Sequence, residues 1–325
     1  MQDKMIQRAA ELLADGTVTR VLGWRSGQFV YDVSPALFET EDELQNFFVY
    51  NEFCGNNLSK YLIKEMDKEG KILVFLKPCD TYSFNQLINE HRIKRDQIYV
   101  IGVACNGKVD VDLARQKGIE GIISAKADGD NVVFKTLYGT ETLPKTDVLA
   151  ERCANCKSRK HVVYDELIGE EGEVLDSHRF DMVEKIESMS PDERYAFWQG
   201  ELSRCIRCNA CRDVCPACTC EKCVFDNPKS GIENKAPYNS FEESMFHIIR
   251  AFHVAGRCTD CGECSRVCPE NIPLHLLNRK FIKDMNTLYG PYMAGEVADP
   301  EMDNPMVGFR DSDAEPSIVK EGGIH

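Results

Sequence analysis

The sequence lacks long hydrophobic runs, and its first ten residues contain no apolar signal segment. A transmembrane helix needs about 18 or more consecutive, mostly apolar residues. We therefore expect no direct membrane span, and we expect a cytoplasmic protein. Association with a membrane would then require a partner.

Positive charge is also scarce. The 325 residues include 39 Lys and Arg against 53 Asp and Glu, which gives a formal net charge of -14. Nucleic-acid binding needs a basic surface that neutralises phosphates, and no such surface is evident, so we predict no nucleic-acid partner. The hydrophobic content of 43% is sufficient for a globular core.

Cysteine, by contrast, is abundant, with 16 residues in the chain. Disulfide bonds are rare in a reducing compartment such as the cytoplasm. Closely spaced cysteines in this setting indicate metal ligands rather than disulfide bridges. The spacing of the cysteines is therefore the main evidence for function.

Two cysteine runs follow the pattern C-x2-C-x2-C-x3-C-P, one from Cys205 and the other from Cys258. This is the spacing of bacterial ferredoxins with two 4Fe-4S clusters, in which the fourth cysteine of each run binds the other cluster. An alternative is a pair of zinc knuckles, whose four-cysteine sets have a longer central gap. The predicted ligand sets are Cys205, Cys208, Cys211 and Cys268 for one cluster, and Cys258, Cys261, Cys264 and Cys215 for the other.

Three further cysteines, Cys218, Cys220 and Cys223, directly follow the first run. Thiols at this density indicate an additional metal site more readily than a packing role. A cubane needs a fourth ligand, and the candidate is Cys54 from the N-terminal part of the chain.

Residues 1–165 alternate strand-like and helix-like segments, which predicts an α/β domain with a mainly parallel sheet. The apolar runs predict strands at 71–76, 97–103, 118–124 and 131–137, and helices at 58–66 and 81–91.

The rest of the chain divides into three predicted segments. Residues 166–200 are predicted to form a linker with helices, and residues 201–295 a mostly helical, two-cluster ferredoxin-like domain. Residues 296–325 are predicted to form an acidic C-terminal tail that is disordered or lies on the surface. The helices predicted in these segments lie near 180–189, at 192–199 and at 240–255.

Four cysteines of the predicted α/β domain each follow a predicted strand. Cys79 follows the first strand, Cys105 follows the second, and Cys153 and Cys156 follow the last. The carboxyl ends of parallel strands lie at one edge of a sheet, where α/β domains bind their ligands. We therefore predict a third 4Fe-4S cluster held by these four cysteines; the alternative is a set of scattered structural thiols.

Four motifs occur in a fixed order along residues of about 50 to 170: Lys77-Pro-Cys79, Gly102-Val-Ala-Cys105, Arg152-Cys-Ala-Asn-Cys156 and Tyr164-Asp-Glu-Leu-Ile-Gly169. Their order resembles the beta subunit of coenzyme F-420 hydrogenases and dehydrogenases, including the formate dehydrogenase beta subunit. That family has an α/β domain holding a flavin and one 4Fe-4S cluster, and many members carry ferredoxin modules. The extension Cys215-Pro-Ala-Cys-Thr-Cys220 is most similar to versions that accompany formate dehydrogenases and heterodisulfide-reductase-like complexes.

The resemblance implies FAD as a further cofactor. In flavin-binding members a glycine-rich stretch precedes a helix, and such glycines let backbone amides approach a pyrophosphate. Here only Gly55 remains, and the other candidate residues are Asn56, Asn57, Ser59 and Lys60. The alternative role of these residues is a helix N-terminus with polar caps.

Together these features predict an electron-relay subunit of an anaerobic oxidoreductase complex, with no catalytic residue of its own. The expected partners are a catalytic subunit of a formate dehydrogenase or hydrogenase and a heterodisulfide-reductase-like flavoprotein. One alternative is a flavin-dependent subunit that itself exchanges hydride with a soluble cofactor such as coenzyme F-420. Another is a zinc-binding scaffold.

Overall fold

The computed structural model describes residues 1–220, 223–226 and 240–299. Within these residues, an N-terminal α/β region carries two sheets and a C-terminal region is helical. None of the helices in these ranges combines the length and hydrophobicity needed to cross a membrane. Most of the predicted C-terminal tail, from residue 300 onwards, lies outside the described residues.

The strands are β1 (Arg20–Ser26), β2 (Val33–Phe38), β3 (Ile72–Leu76), β4 (Ile98–Val103), β5 (Ile122–Asp128), β6 (Asn131–Thr136), β7 (Gly139–Pro144) and β8 (Glu166–Ile168). The helices are α1 (Gln2–Ala14), α2 (Glu41–Phe47), α3 (Pro78–Asn89), α4 (Val111–Gln116), α5 (Lys145–Val148), α6 (Glu151–Ala154), α7 (Asp181–Glu187), α8 (Pro191–Leu202), α9 (Ala210–Asp213), α10 (Ser240–His253), α11 (Glu263–Arg266) and α12 (His275–Tyr289).

The main sheet has the strand order β2-β1-β3-β4-β8. β2 pairs antiparallel with β1, and the pairings β1-β3, β3-β4 and β4-β8 are parallel. The prediction of a mainly parallel sheet is confirmed for this sheet. Since β8 begins at Glu166, the sheet extends past the boundary predicted at residue 165.

The centre of the main sheet is covered on both faces. All five residues of β3 are buried, which is typical of parallel strands with structure on each side. The ring of Phe48 lies 5.4 Å from that of Phe75 on β3 and 5.7 Å from that of Phe38 on β2. These rings join the two neighbouring parts of the sheet in one hydrophobic core.

The turn from β3 into α3 is fixed by a buried ion pair. The ammonium of Lys77 lies 2.7 Å from the Asp80 carboxylate, and both side chains are almost fully buried. Pro78 occupies the first turn of α3, where its missing N–H would have no helical partner. This arrangement holds Cys79 at the beginning of α3, directly beyond the carboxyl end of β3.

β5, β6 and β7 form a separate antiparallel sheet, with Phe134 and Val132 in its small core. The predicted strands at 118–124 and 131–137 exist in part, but the expectation that they extend the α/β sheet is wrong. Most of β7 is exposed. It therefore has no alternating apolar pattern by which it could have been predicted.

The helical region contains the predicted helices near 180–189, at 192–199 and at 240–255, observed as α7, α8 and α10. α8 begins with a capping box, because Ser190 accepts a hydrogen bond from the backbone of Glu193 and the Glu193 carboxylate accepts one from the backbone of Ser190. The predicted helix at 58–66 is instead a 3₁₀ helix, Ser59–Glu65.

The helical region packs against α3 and the segment that follows α6. The hydroxyls of Ser83 and Thr259 are 2.8 Å apart, and the Lys157 ammonium donates a 2.6 Å hydrogen bond to the Thr259 carbonyl. A further ion pair joins Arg257 to Glu90 at the end of α3. These contacts bring the cysteine-rich loops of the helical region to the carboxyl edge of the main sheet.

We expect Phe75→Ala to lower the thermal unfolding midpoint far more than Leu137→Ala. Phe75 is 0% exposed, whereas Leu137 is 72% exposed. Truncating a buried phenylalanine costs about 3 to 5 kcal/mol, while exposed positions change stability by about 0.5 kcal/mol or less. Circular dichroism of the two anaerobically purified variants measures the difference, and equal midpoints would contradict the assigned core.

Candidate metal centres

Cys79, Cys105, Cys153 and Cys156 line one cavity at the carboxyl edge of the main sheet. Cys79 lies in the first turn of α3, and Cys105 follows β4. The sequence analysis placed Cys153 and Cys156 after the last strand. In the structure Cys153 lies in α6, and the pair precedes β8, the last strand of the main sheet. The chain nevertheless brings the four predicted ligands together.

Burial governs the chemistry of three of these thiols. It raises the pKa of Cys79, Cys153 and Cys156, and in each case the neighbouring Cys105 thiol raises the pKa further. Lys77 and Arg152 oppose this rise at Cys79. Without a metal these three thiols therefore stay protonated, and metal binding must release their protons while the nearby cations favour the thiolates.

The two ferredoxin-like runs adopt the same local backbone conformation. Arg207 and Asn209 have positive φ angles of 53° and 62°, and the equivalent residues Asp260 and Gly262 have values of 54° and 67°. Each run then enters a single helical turn, α9 or α11, and these two turns pack against each other. The repeated loops present their cysteines to a shared interior.

A glycine is required in the second loop because of its surroundings. A Cβ atom at Gly262 would lie 2.8 Å from Cβ of Arg152, which is too close for a real contact. Asn209, at the same place in the first loop, adopts the left-handed conformation that asparagine tolerates.

The fourth cysteine of each run lies with the opposite run. Burial raises the pKa of Cys258 and Cys261, and the Cys215 thiol of the first run raises both further. Burial likewise raises the pKa of Cys211, with further increases from Cys268 of the second run and from Cys215 and Cys208 of its own run, while Arg250 lowers it. Cys215 and Cys268 thus each lie near the opposite run, as the crossed ligand sets require, and Cys215 also lies near Cys211 of the other set.

Cys205 completes the first predicted set. It packs in one buried cluster with Cys211, and Cys268 lies against that cluster. Cys264 of the second predicted set has a pKa raised to about 11, mainly by burial and in part by Cys215. The buried cluster around Cys205 also contains Cys264, so cysteines of both predicted sets lie close together.

In the described part of the chain, no three Cys, His, Asp or Glu side chains converge as ligands of one metal ion would. In a 4Fe-4S cubane each of the four cysteines binds a different iron. The sulfur atoms of such a set surround the cluster and do not meet at one point.

Cys218, Cys220 and Cys223 line a different cavity, with a volume of about 880 Å³. Cys54, the predicted fourth ligand of an extra site, is not among the described residues that line this cavity. It is buried in the core of the α/β region, where its sulfur accepts a 3.2 Å hydrogen bond from the backbone N–H of Asn51. Its neighbours along the chain are mostly polar and form no hydrophobic pattern, so sequence reasoning could not place it in the core.

The candidate flavin residues are used in contacts within the protein. The Gly55 carbonyl accepts a 2.6 Å hydrogen bond from Arg152, and the Asn56 carbonyl accepts one of 2.8 Å from Lys77. The buried side chains of Asn57 and Ser59 bond to Ser83 and to the Asp80 carbonyl, and Lys60 donates to the Arg212 carbonyl. The segment thus joins the α/β and helical regions, and these polar groups bond to protein partners.

Two buried cations that the sequence analysis did not single out lie beside the dispersed cysteines. Arg152 has 8% of its side chain exposed and forms an ion pair with the fully buried Glu263. Burial lowers the pKa of Lys157 to about 8, although Asp260 and nearby thiols oppose the shift. Both cations lie where the helical region meets the α/β region.

The fold and the cysteine sets define an iron-sulfur protein with a ferredoxin-type module. Residues 201–272 match the family model described as a 4Fe-4S dicluster domain. This match agrees with the two runs at Cys205 and Cys258 and confirms the prediction of 4Fe-4S chemistry in the helical region.

The whole chain has more specific relatives. It is 24% identical to the F420-dependent formate dehydrogenase subunit beta of Methanocaldococcus jannaschii, over 85% of this chain and 88% of that protein. It is also 24% identical to the F420-dependent formate dehydrogenase 1 subunit beta of Methanococcus maripaludis, over 75% of this chain and 78% of that protein. The resemblance to beta subunits of this kind is confirmed.

Among solved structures, a chain of the F420-reducing NiFe hydrogenase complex from Methanosarcina barkeri is similar with a TM-score of 0.38. The sequence identity is 10%, and the similarity covers 62% of this chain and 86% of that chain.

We expect Cys79→Ser to lower the iron content and Cys54→Ser to leave it unchanged. Both cysteines belong to the α/β region, but only Cys79 lies with the other dispersed cysteines. Loss of one cluster removes about four irons per chain. Iron analysis after anaerobic purification gives the answer, and an equal loss in both variants would contradict the assigned site.

Proposed function

We propose that this chain is an iron-sulfur electron-transfer subunit of an anaerobic, multi-subunit oxidoreductase. It relays single electrons between a catalytic subunit and a second redox partner. The chain itself converts no substrate and needs no acid-base residue for this role.

The main support is the continuity of the three cysteine sets. The cavity of the dispersed cysteines is also lined by Cys261, which belongs to the second ferredoxin-like run. Cys261 neighbours Cys215 of the first run, and Cys211 of that run neighbours Cys268. Neighbouring cysteines therefore continue from the α/β region into the helical region.

Clusters bound at these sites would supply one-electron transfer. The residues of the chain keep water away from four of the proposed ligands, Cys205, Cys211, Cys215 and Cys264, which are buried, whereas Cys208 is exposed. Buried arginines beside the thiols offset the negative charge that thiolates bring, which adjusts the reduction potential.

The proposed ligands form three sets. They are Cys205, Cys208, Cys211 and Cys268 for the first cluster, Cys258, Cys261, Cys264 and Cys215 for the second, and Cys79, Cys105, Cys153 and Cys156 for the third. Cys218, Cys220 and Cys223 are left outside these sets because the described lining of their cavity contains no fourth cysteine, although the Cys218 thiol is hydrogen-bonded to Cys215 of the second set.

The proposed partners follow from the similar proteins. The two relatives are named as beta subunits of F420-dependent formate dehydrogenases. By analogy, we propose that a formate dehydrogenase or hydrogenase catalytic subunit exchanges electrons with this chain. A heterodisulfide-reductase-like flavoprotein is the proposed partner at the other end of the relay.

The competing function is a flavin subunit that exchanges hydride with a soluble cofactor. The contacts of Gly55, Asn57 and Ser59 count against it, since these groups already bond within the protein. A Cβ atom at Gly55 would also lie 2.9 Å from an Arg152 nitrogen, so the backbone here adjoins a side chain rather than open space.

We expect anaerobically purified protein to contain about twelve irons, matching sulfide and no flavin per chain, because three 4Fe-4S clusters hold four irons each. Metal and sulfide analysis, together with the absorption spectrum after acid release, measures all three quantities. Stoichiometric free flavin would support the hydride-exchanging subunit instead. A content of about eight irons would contradict the third cluster. Zinc without sulfide would contradict the proposed function altogether.

A further inference from the structure

Arg152 is a buried guanidinium that contacts both the α/β region and the helical region. Its Nη1 donates a 2.9 Å hydrogen bond to the carbonyl of Cys261, and its Nη2 donates to the Gly55 carbonyl. Arg152 also lines the cavity of the four dispersed cysteines. One cation thus lies beside two different cysteine sets.

Thiols of both sets affect the pKa of Arg152. Burial lowers the pKa of Arg152, but Glu263 and the thiols of Cys153, Cys79 and Cys261 outweigh burial and raise it overall. Cys79 and Cys153 belong to the dispersed set, while Cys261 belongs to the second ferredoxin-like run. The guanidinium is therefore close enough to interact with thiolates on each side of the junction.

Arg250 occupies the corresponding place between the two ferredoxin-like sets. It is 4% exposed, and its Nη2 donates a 2.9 Å hydrogen bond to the carbonyl of Cys211. Burial lowers its pKa, whereas the thiols of Cys215, Cys264 and Cys211 raise it. Cys211 is assigned to one cluster, and Cys215 and Cys264 are assigned to the other.

The surroundings of the dispersed set give the order of the centres. Its cavity is lined by Asp260 and Cys261 from the second run, and by no described residue of the first run. The central cluster is therefore the one assigned to Cys258, Cys261, Cys264 and Cys215. The dispersed centre lies on one side of it, and the first ferredoxin-like centre lies on the opposite side.

On the basis of the proposed function, we propose that the three centres form a linear chain in which Arg152 and Arg250 each raise the reduction potentials of the two centres they separate. Reduction adds a negative charge to a cluster, and a buried cation nearby stabilises that charge. Both arginines are positioning residues: they bind backbone carbonyls of the cluster loops and carry no electron themselves.

The carboxylates near Arg152 do not cancel its effect on the reduction potentials. Glu263 is paired with both Arg152 and Arg266, and Asp260 is paired with both Arg179 and Arg279. Removing the charge of Arg152 leaves the pair Glu263 and Arg266 in place. The change at the junction is then the loss of one positive charge.

The test compares Arg152→Gln, Arg152→Lys and Arg250→Gln in the full chain. The midpoint potentials of the three cluster redox couples are measured by anaerobic redox titration, with electron paramagnetic resonance as the detection method. We expect Arg152→Gln to lower two of the three potentials, each by at least a tenfold change in the reduction equilibrium, which is about 59 mV for one electron. Arg152→Lys keeps the charge and leaves all three potentials near the wild-type values.

Arg250→Gln is also expected to lower two of the three potentials. Only one redox couple should be lowered in both Arg250→Gln and Arg152→Gln. The shared couple is the central centre of the chain. The couple that responds to Arg152→Gln alone should disappear in Cys79→Ser, because that variant lacks the dispersed centre. This pattern identifies each couple without a separate spectral assignment.

Three results would overturn the linear chain. These are shifts in the same couples for both arginines, shifts in a single couple for Arg152→Gln, or equal shifts for Arg152→Gln and Arg152→Lys. Wild-type protein with only eight irons would instead count against the third cluster of the proposed function.

A second variant, Glu263→Gln, tests the same electrostatic role if Arg152→Gln fails to fold. Glu263→Gln removes a negative charge that neighbours Arg152 and Cys261, and is expected to raise the potential of the central couple. An unchanged or lowered central potential in Glu263→Gln would overturn the proposed electrostatic role.

Discussion

The structure depends on buried cysteines that lie beside compensating positive charge. A thiolate removed from water is unfavourable unless a cation, a hydrogen-bond donor or a metal stabilises it. Here the cysteine sets lie at the junction of two regions, and buried Arg152 and Arg250 bind the backbone carbonyls of the cysteine loops. The packing of the helical region on the α/β region therefore brings the cysteine sets and these cations together.

Sequence alone predicts the parts of this arrangement that have a local signature. The spacing of the runs at Cys205 and Cys258 predicts two loops of the same conformation, and both loops have positive φ at equivalent residues. The apolar segments that become β3 and β4 predict a parallel pair, and the rule for carboxyl ends of strands brings Cys79 and Cys105 to one edge.

The remaining features depend on contacts between distant residues, which leave no local pattern. The strand β7 is exposed and polar, so neither hydrophobicity nor alternation indicates it. Cys54 resembles a candidate ligand by residue type alone, and only the fold shows it in a hydrophobic core. Arg152 precedes Cys153 in the sequence, but its place beside Cys261 of the second run arises from tertiary packing.

The most direct test of this account is the Mössbauer spectrum of the full chain, enriched in iron-57 and purified without oxygen. The account predicts that essentially all protein-bound iron is present as 4Fe-4S clusters, in an amount that fills the crossed ferredoxin-like sets and the dispersed set. Protein that holds zinc or disulfide bonds at the runs beginning with Cys205 and Cys258, with no cluster iron, would contradict it.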